Sequence, residues 1–204
     1  MNRRLVFCLV VVGGLVGPSL AGAQQVCPSG VPRGAPDSRY EVIEDVVGEK
    51  VIKDVLTDLQ WQRCPVGLSG DVCTTGTAGA VTWSGALTAA NASTYGGKSD
   101  WRLPNVIELQ SLVETGCANP AINPVFFPNM PFDAAYWTST TVPNTLDAHV
   151  IEFANGLRRY TSFFGRKSLN RYVRLVRAGR GDEAFASERP PAFFQSGFEV
   201  GEAP

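Results

Sequence analysis

The sequence predicts an α+β fold in which two helices pack on a twisted antiparallel sheet with long loops and disulfide bonds. Three observations carry this. Two segments, beginning at Thr82 and Asn105, start with capping residues and continue as apolar stripes at helical spacing. Several short runs rich in Val, Ile, Tyr, Trp and Thr alternate in polarity, and one pair is joined by Asn155-Gly156. Four cysteines follow an N-terminal segment with the features of an export signal.

That segment comes first in the chain. Asn2-Arg3-Arg4 precede the apolar run "LVFCLVVVGGLVGPSL", and small residues follow up to Ala23, so residues 1–23 read as a secretory signal peptide with the mature chain starting near Gln24. Gly and Pro break the run before it reaches the roughly 20 apolar residues a span needs, and no later segment is apolar enough. The expectation is no membrane span after cleavage, and a secreted, periplasmic or cell-surface location. Cys27 lacks the Leu-Ala-Gly-type context that lipid attachment needs. Cleavage removes two Arg and no acid, so 18 − 2 = 16 basic residues face 19 acidic ones and the net charge goes from −1 to −3. This balance offers nucleic acid no global attraction.

The remaining cysteines are Cys27, Cys64, Cys73 and Cys117. Outside the cytoplasm they read as two disulfides, with three pairings open. Zinc fits poorly, because no Cys-x-x-Cys occurs and His149 is the single histidine. Closeness in sequence favours Cys64 with Cys73, which leaves Cys27 with Cys117 to tie the leader to the end of the second helix.

Residues 24–39 form a Pro/Gly/Ser-rich leader. "YEVIED", "EKVIKDV" and "LQWQR" are strands, with the turn-prone Thr57-Asp58 before the third. In "VTWSGALTAANASTYGG", Thr82 caps a helix with Trp83, Ala86, Leu87 and Ala90 on one stripe, stopped by Gly96-Gly97. In "SDWRLPNVIELQSLVET", Pro104 forces Leu103 into an extended conformation. Asn105 and Glu108 form a capping box, and Val106, Leu109, Leu112 and Val113 share a face. Trp101 and Leu103, two apart, then point to one side. "CANPAINPVFFPNMPF" is a Pro/Asn-rich loop taken as exposed, "AYWTSTT" a strand around Trp137, and "AHVIEF–ANG–LRRYTSF" a hairpin. "NRYVRLVRAG" is a last strand with Tyr172, Arg174 and Val176 on one face and Val173, Leu175 and Arg177 on the other. Residues 180–204 read as a flexible tail.

The order "TDLQWQRC", "TWSGAL", "GGKSDWRLPNVIELQSLV", "NPAINPVFFPN", "YWTSTT" and "YVRLVR" resembles the Legionella collagen-like protein C-terminal domain family over about residues 40–179. The resemblance implies a C-type-lectin-like fold, two helices on a twisted antiparallel sheet. It makes Trp101, Arg102, Leu103, Pro104, Asn105, Glu108 and Trp137 a structural motif, in which Arg102 ties the loop to the sheet. Such a motif is similar to one in formylglycine-generating enzymes, but the late cysteine pair of those enzymes has no counterpart here, since no Cys follows Cys117.

No catalytic residues, metal or cofactor are expected. A Gly-x-Ser-x-Gly elbow and a phosphate loop are missing, and His149 sits in a hairpin strand. Asn129 and Asp133 share an oxygen-rich loop, but the acid triplets of calcium-dependent lectins do not occur. One stretch has a marked charge. Arg158, Arg159, Arg166, Lys167, Arg171, Arg174, Arg177 and Arg180 occur with no acid between them, interleaved with Tyr160, Phe163, Phe164 and Tyr172. Arg forks suit sulfate and carboxylate, and the founder of the resembled family looks like an adhesin for sulfated glycans. The expected function is therefore an exported, non-catalytic binding module for an anionic glycan or an envelope protein, with Arg166, Lys167 and Arg171 as ligand residues. The alternative is an assembly protein that docks a partner through its tail or its Pro/Phe loop. Arg180-Gly181-Asp182 and "FFQSGFE" in the tail carry no assigned role.

Overall fold

The computed structural model describes residues 25–46, 49–160 and 163–179. The signal segment 1–23 and the tail 180–204, with Arg180-Gly181-Asp182, lie outside them. The elements in order are β1 (Tyr40–Val46), β2 (Glu49–Asp54), β3 (Gln60–Gln62), β4 (Leu68–Ser69), β5 (Thr75–Gly76), α1 (Trp83–Asn91), α2 (Val106–Ser111), β6 (Ala135–Thr141), β7 (Ala148–Glu152), β8 (Leu157–Arg159) and β9 (Val176–Arg177). This is an α+β protein with two α-helices and antiparallel strands among the described residues, held by the disulfides Cys27–Cys117 and Cys64–Cys73.

The strands do not form one sheet. β1-β2-β3-β9 make one antiparallel sheet, β6-β7-β8 a second and β4-β5 a small ribbon. The last segment joins the two larger sheets. Tyr172 exchanges backbone bonds with Ala135 and Trp137 of β6, whereas Val176 pairs with Trp61 of β3 and Arg102. The "NRYVRLVRAG" strand is thus a central seam, and only Val176–Arg177 within it form a regular strand.

Alternation along these strands builds two cores. Ile52, Tyr136, Ile151, Phe153 and Val176 enter one, with Trp61, the α2 residues Val106 and Leu109, and Leu112 at the end of that helix. Val51, Ala135, Trp137, Val150, Val173 and Leu175 enter the other, with the α1 residues Ala86 and Ala90. Because neighbouring strand residues point to opposite faces, α1 and α2 cover opposite faces. The expected packing of two helices on one sheet thus becomes one helix on each face. Trp101 and Leu103 do share a side, in the α1 core, but the helix that they introduce serves the other core.

The helix starts follow the capping chemistry. The Thr82 hydroxyl accepts from the Gly85 amide. The Asn105 side chain accepts from Ile107 and Glu108, and Glu108 accepts in return from the Asn105 amide. α1 ends at Asn91, before Gly96-Gly97, which instead belong to a separate 3₁₀ turn. The hairpin turn also differs. Four residues, 153–156, separate Glu152 from its partner Leu157, and of Asn155-Gly156 only Gly156 has positive φ.

The leader is part of the packed unit. Val26 pairs with Ala118, Ala35 is fully buried, and the Gln25 side chain donates to Pro120 O and Ile122 O. The buried carboxylate of Glu114 accepts from the amides of Gly34, Ala35 and Gly116 and from Arg33 Nε. The Pro/Phe loop is not the exposed feature expected. Phe127 and Met130 are buried, and Phe126 and Phe132 pack against the α2 core, because an aromatic-rich loop loses too much by staying in water.

Candidate functional site

The "WRLPN" motif proves to be a junction. The Arg102 amide and carbonyl both pair with Val176, at 2.9 and 3.0 Å, so its backbone does tie the loop to the sheet. Its guanidinium instead turns to α2 and grips Glu108 with two bonds of 2.8 and 2.7 Å. Burial alone would raise the Glu108 carboxyl. Arg102 and the Asn105 amide outweigh that and hold it below the usual carboxylate range. The start of α2 is completed by β6: Thr140 Oγ1 accepts from the Val106 amide at 2.9 Å, and Pro104 O accepts from the Ser139 amide at 2.7 Å. The motif and "YWTSTT" therefore meet, and Trp137 donates its indole N–H to Val81 O. An open cleft of about 420 Å³ lies over the junction, with Leu87 and Leu103 on its floor and Asn91, Arg102 and Glu108 on its rim.

The basic stretch does not act as one patch. Arg174 is fully buried, Arg177 is spent on Asp100 and Gln60, and Arg180 lies outside the described residues. Arg174 does share a face with Tyr172 and Val176, as strand alternation requires, but both faces of this strand are covered.

Five cations remain at the surface, on one edge of the β6-β7-β8 sheet. β8 pairs with β7 through Arg159–Val150, and beyond it the 163–167 loop continues along the same edge, with Asp147 opposite Arg166 and Lys167 N bonded to Leu146 O. On one side Arg159 lies over the Phe164 ring at 4.7 Å and donates from Nε to Glu152 Oε2 at 3.2 Å, and Lys167 lies over the Trp83 ring at 4.6 Å. Arg171 donates to Phe164 O at 3.1 Å and to Asn170 O at 2.9 Å, bracing the loop from below. Burial lowers its pKa, against the field of Glu152. Arg166 is exposed, and Phe163, 79 % exposed, projects beside Phe164 with ring centroids 4.9 Å apart.

On the other side of β8 are Arg158 and Tyr160, whose ring lies 5.3 Å from that of His149. Burial, then the Arg158 charge, lowers the His149 pKa.

Of the three expected ligand residues, Arg166 and Lys167 present charge outward and Arg171 mainly positions the loop. Arg159 and Phe164 were named only as members of the basic, aromatic stretch, and Trp83 was not connected with it. Trp83 had been read only as part of the α1 stripe. Its link to the site is a backbone bond from its amide to Lys167 O, a long-range contact with no local signal. Asn129, the oxygen-rich loop candidate, uses its side-chain amide to bond Cys73 O. Among the described residues no three His, Cys, Asp or Glu side chains gather to hold a metal ion.

The fold and this edge define an α+β, disulfide-bonded domain with a cationic, aromatic face. A family model, that of the Lcl C-terminal domain, matches residues 50–177, well over half of the chain. The protein belongs to that family. No curated protein matches the chain. Two disulfides fit an oxidising compartment, and among the described residues no helix is long and apolar enough to cross a membrane.

Proposed function

We propose that this protein is an exported, non-catalytic binding module of C-type-lectin-like architecture that recognises anionic glycans. The observation that carries the reading is the edge where Arg159 and Lys167 lie on aromatic rings beside exposed Arg166 and Phe163. Cations held over rings keep their charge facing water while losing little freedom on binding. Sulfate or carboxylate groups would meet Arg166 and Lys167, with Arg159, whose Nε is held by Glu152, offering only its remaining N–H groups, and the apolar face of a sugar ring would rest on Phe163. Family membership supports a surface-binding role, and the signal-like residues 1–23 support export.

The test is retention on heparin. Arg166→Ala/Lys167→Ala should elute at clearly lower salt than the unaltered chain, with little change in melting temperature, because Arg166 is exposed and Lys167 gives up only its contact with the Trp83 ring. Adding Arg171→Ala should remove retention and also loosen the loop that Arg171 braces. Retention should fall steeply with salt, since exposed charges are screened within about 8 Å at physiological ionic strength. Unchanged retention in the double variant refutes the reading. It would favour the alternative, docking of an envelope protein, for which Phe163 and the 70 % exposed Leu146 supply an apolar contact on the same edge.

A further inference from the structure

A cleft of about 340 Å³ opens between the β4-β5 ribbon, the end of α1 and the turn that follows it. It shares no lining residue with the cationic edge. Its floor is set by strand register. Val51 of β2 pairs with Gln62 of β3, so Glu49, two residues before Val51, lies on the same sheet face as Gln62 and diagonal to it. Diagonal neighbours of this kind sit about 7–8 Å apart. Both side chains are pinned to one turn, residues 93–96. Glu49 Oε2 accepts from the Gly96 amide at 2.8 Å, and Gln62 Nε2 donates to Ser93 Oγ at 2.8 Å. Ser93 Oγ also accepts from the Tyr95 amide at 3.4 Å. The ribbon forms the facing wall, where Ser69 pairs with Thr75 and Leu68 with Gly76. The Cys64–Cys73 bridge closes the loop that carries β4. A Cβ on Gly76, at a φ of +93°, would stand 2.3 Å from Gly67 O, so the two strands are pressed together and the wall is built before any ligand arrives.

The groups on the floor select the ligand. Gln62 is only 2 % exposed, and with Nε2 bonded to Ser93 its Oε1 is the end left to accept. Ser93 Oγ accepts from two N–H groups and keeps its own proton to donate, and Glu49 keeps Oε1 to accept. Ser69, Thr75 and Thr94 add hydroxyls, and Leu68 and Ala89 add apolar contact. Among the described residues no Lys or Arg lines the cleft, so a sulfate or carboxylate would meet only the like charge of Glu49. One donor between two acceptors matches neighbouring hydroxyls on a ring, since each hydroxyl both donates and accepts. A volume of about 340 Å³ stands at the small end of ligand sites and admits one such ring. We propose that this cleft binds a neutral pyranose, hydrogen-bonded by Glu49, Gln62 and Ser93, with its C–H face on Leu68 and Ala89. The domain then holds an uncharged sugar at a site that shares nothing with the cationic edge.

The experiment is an amide chemical-shift titration of the purified chain with methyl glucopyranoside, methyl mannopyranoside, methyl galactopyranoside and N-acetylglucosamine. Each runs to about 10 mM, since a ligand this small binds with a Kd on the order of 1 mM. At least one should shift the amides of residues 93–96 and of the ribbon in a saturating manner. Ala89→Trp puts a ring in the cleft from an exposed position on α1, away from the Gln62–Ser93 bond, and should abolish the shifts. Ser93→Ala removes the donor and should weaken the affinity about fivefold, the ratio for one hydrogen bond of about 1 kcal/mol. Arg166→Ala/Lys167→Ala should keep the full affinity, and excess heparin should not displace the sugar. Loss of binding in that variant, or displacement by heparin, would place the sugar on the cationic edge and overturn the proposal. No saturating shift with any of the four sugars, or unchanged binding in Ala89→Trp, would overturn it too. Failed heparin retention bears on the cationic edge alone.

Discussion

Glu114→Gln perturbs the carboxylate that holds the leader to the domain. In the native chain Oε1 accepts from the Gly34 and Gly116 amides at 2.8 and 2.9 Å, and Oε2 accepts from the Ala35 amide and Arg33 Nε, each at 3.1 Å. Glutamine keeps one acceptor oxygen and puts an NH₂ donor where the other stood. Either the Gly34 amide and the buried Gly116 amide, or the buried Ala35 amide and Arg33, lose their acceptor. An unsatisfied buried donor costs about 1–3 kcal/mol, and the surviving bonds lose their charge assistance. Arg33 is 37 % exposed, so its own pairing is discounted for solvent screening. The sum is about 3 kcal/mol, or about 6–12 °C in melting temperature for a chain of this size.

The pH dependence has a definite sign. Burial alone would raise the Glu114 carboxyl, but the three amides and Arg33 hold it below its ordinary value. Its contribution is therefore fully present above the unfolded pKa of about 4.3 and is lost as pH falls through the lower folded value. Urea unfolding with disulfides intact should show the wild-type advantage at pH 7 and its closure in acid. Trypsin should also cut after Arg33 sooner in the variant. A loss under about 0.5 kcal/mol at pH 7 with unchanged cleavage, against a floor of about 1 kcal/mol for one orphaned amide, would refute the account.

Two further outcomes follow from covalent and backbone geometry. Replacing Cys27 and Cys117 together, which opens a closure with a sequence separation of 90, should cost about 4.6 kcal/mol by loop entropy, against about 2.7 for Cys64 and Cys73, separated by 9. Denaturant midpoints of the two double variants check the order. Gly156→Ala places a Cβ 2.4 Å from Val113 Cγ1 at a φ of +72°. It should destabilise by about 1–3 kcal/mol, and Val113→Ala in the same chain should recover part of that loss in a thermal melt.

Much of the local structure was legible because it is decided by neighbours in sequence. Asn105 and Glu108 lie one helical turn apart, so their mutual capping needs nothing distant. Thr82 caps α1 for the same reason. Cys64 and Cys73 are close enough that their pairing followed from the short loop between them. The same side for Trp101 and Leu103 came from a two-residue period, which holds wherever the backbone is extended.

The tertiary structure decided what each of those pieces faces. Alternation groups Arg174 with Tyr172 and Val176, but whether that group meets water depends on what lies across from it. Here both faces are covered, since α1 and α2 serve different cores, and a residue read as surface charge became the buried cation of the seam. Glu114 carried no sequence signal of its role, because its partners Gly34 and Ala35 are distant in sequence. Lys167 and Trp83 meet because two loops exchange a backbone bond, and no periodicity records that closure. Caps, turns and strand parity depend on geometry within a few residues, which the sequence by itself determines. Burial of a charge and the meeting of a cation with a ring depend on which distant segments close the space around them, and only the folded chain decides that.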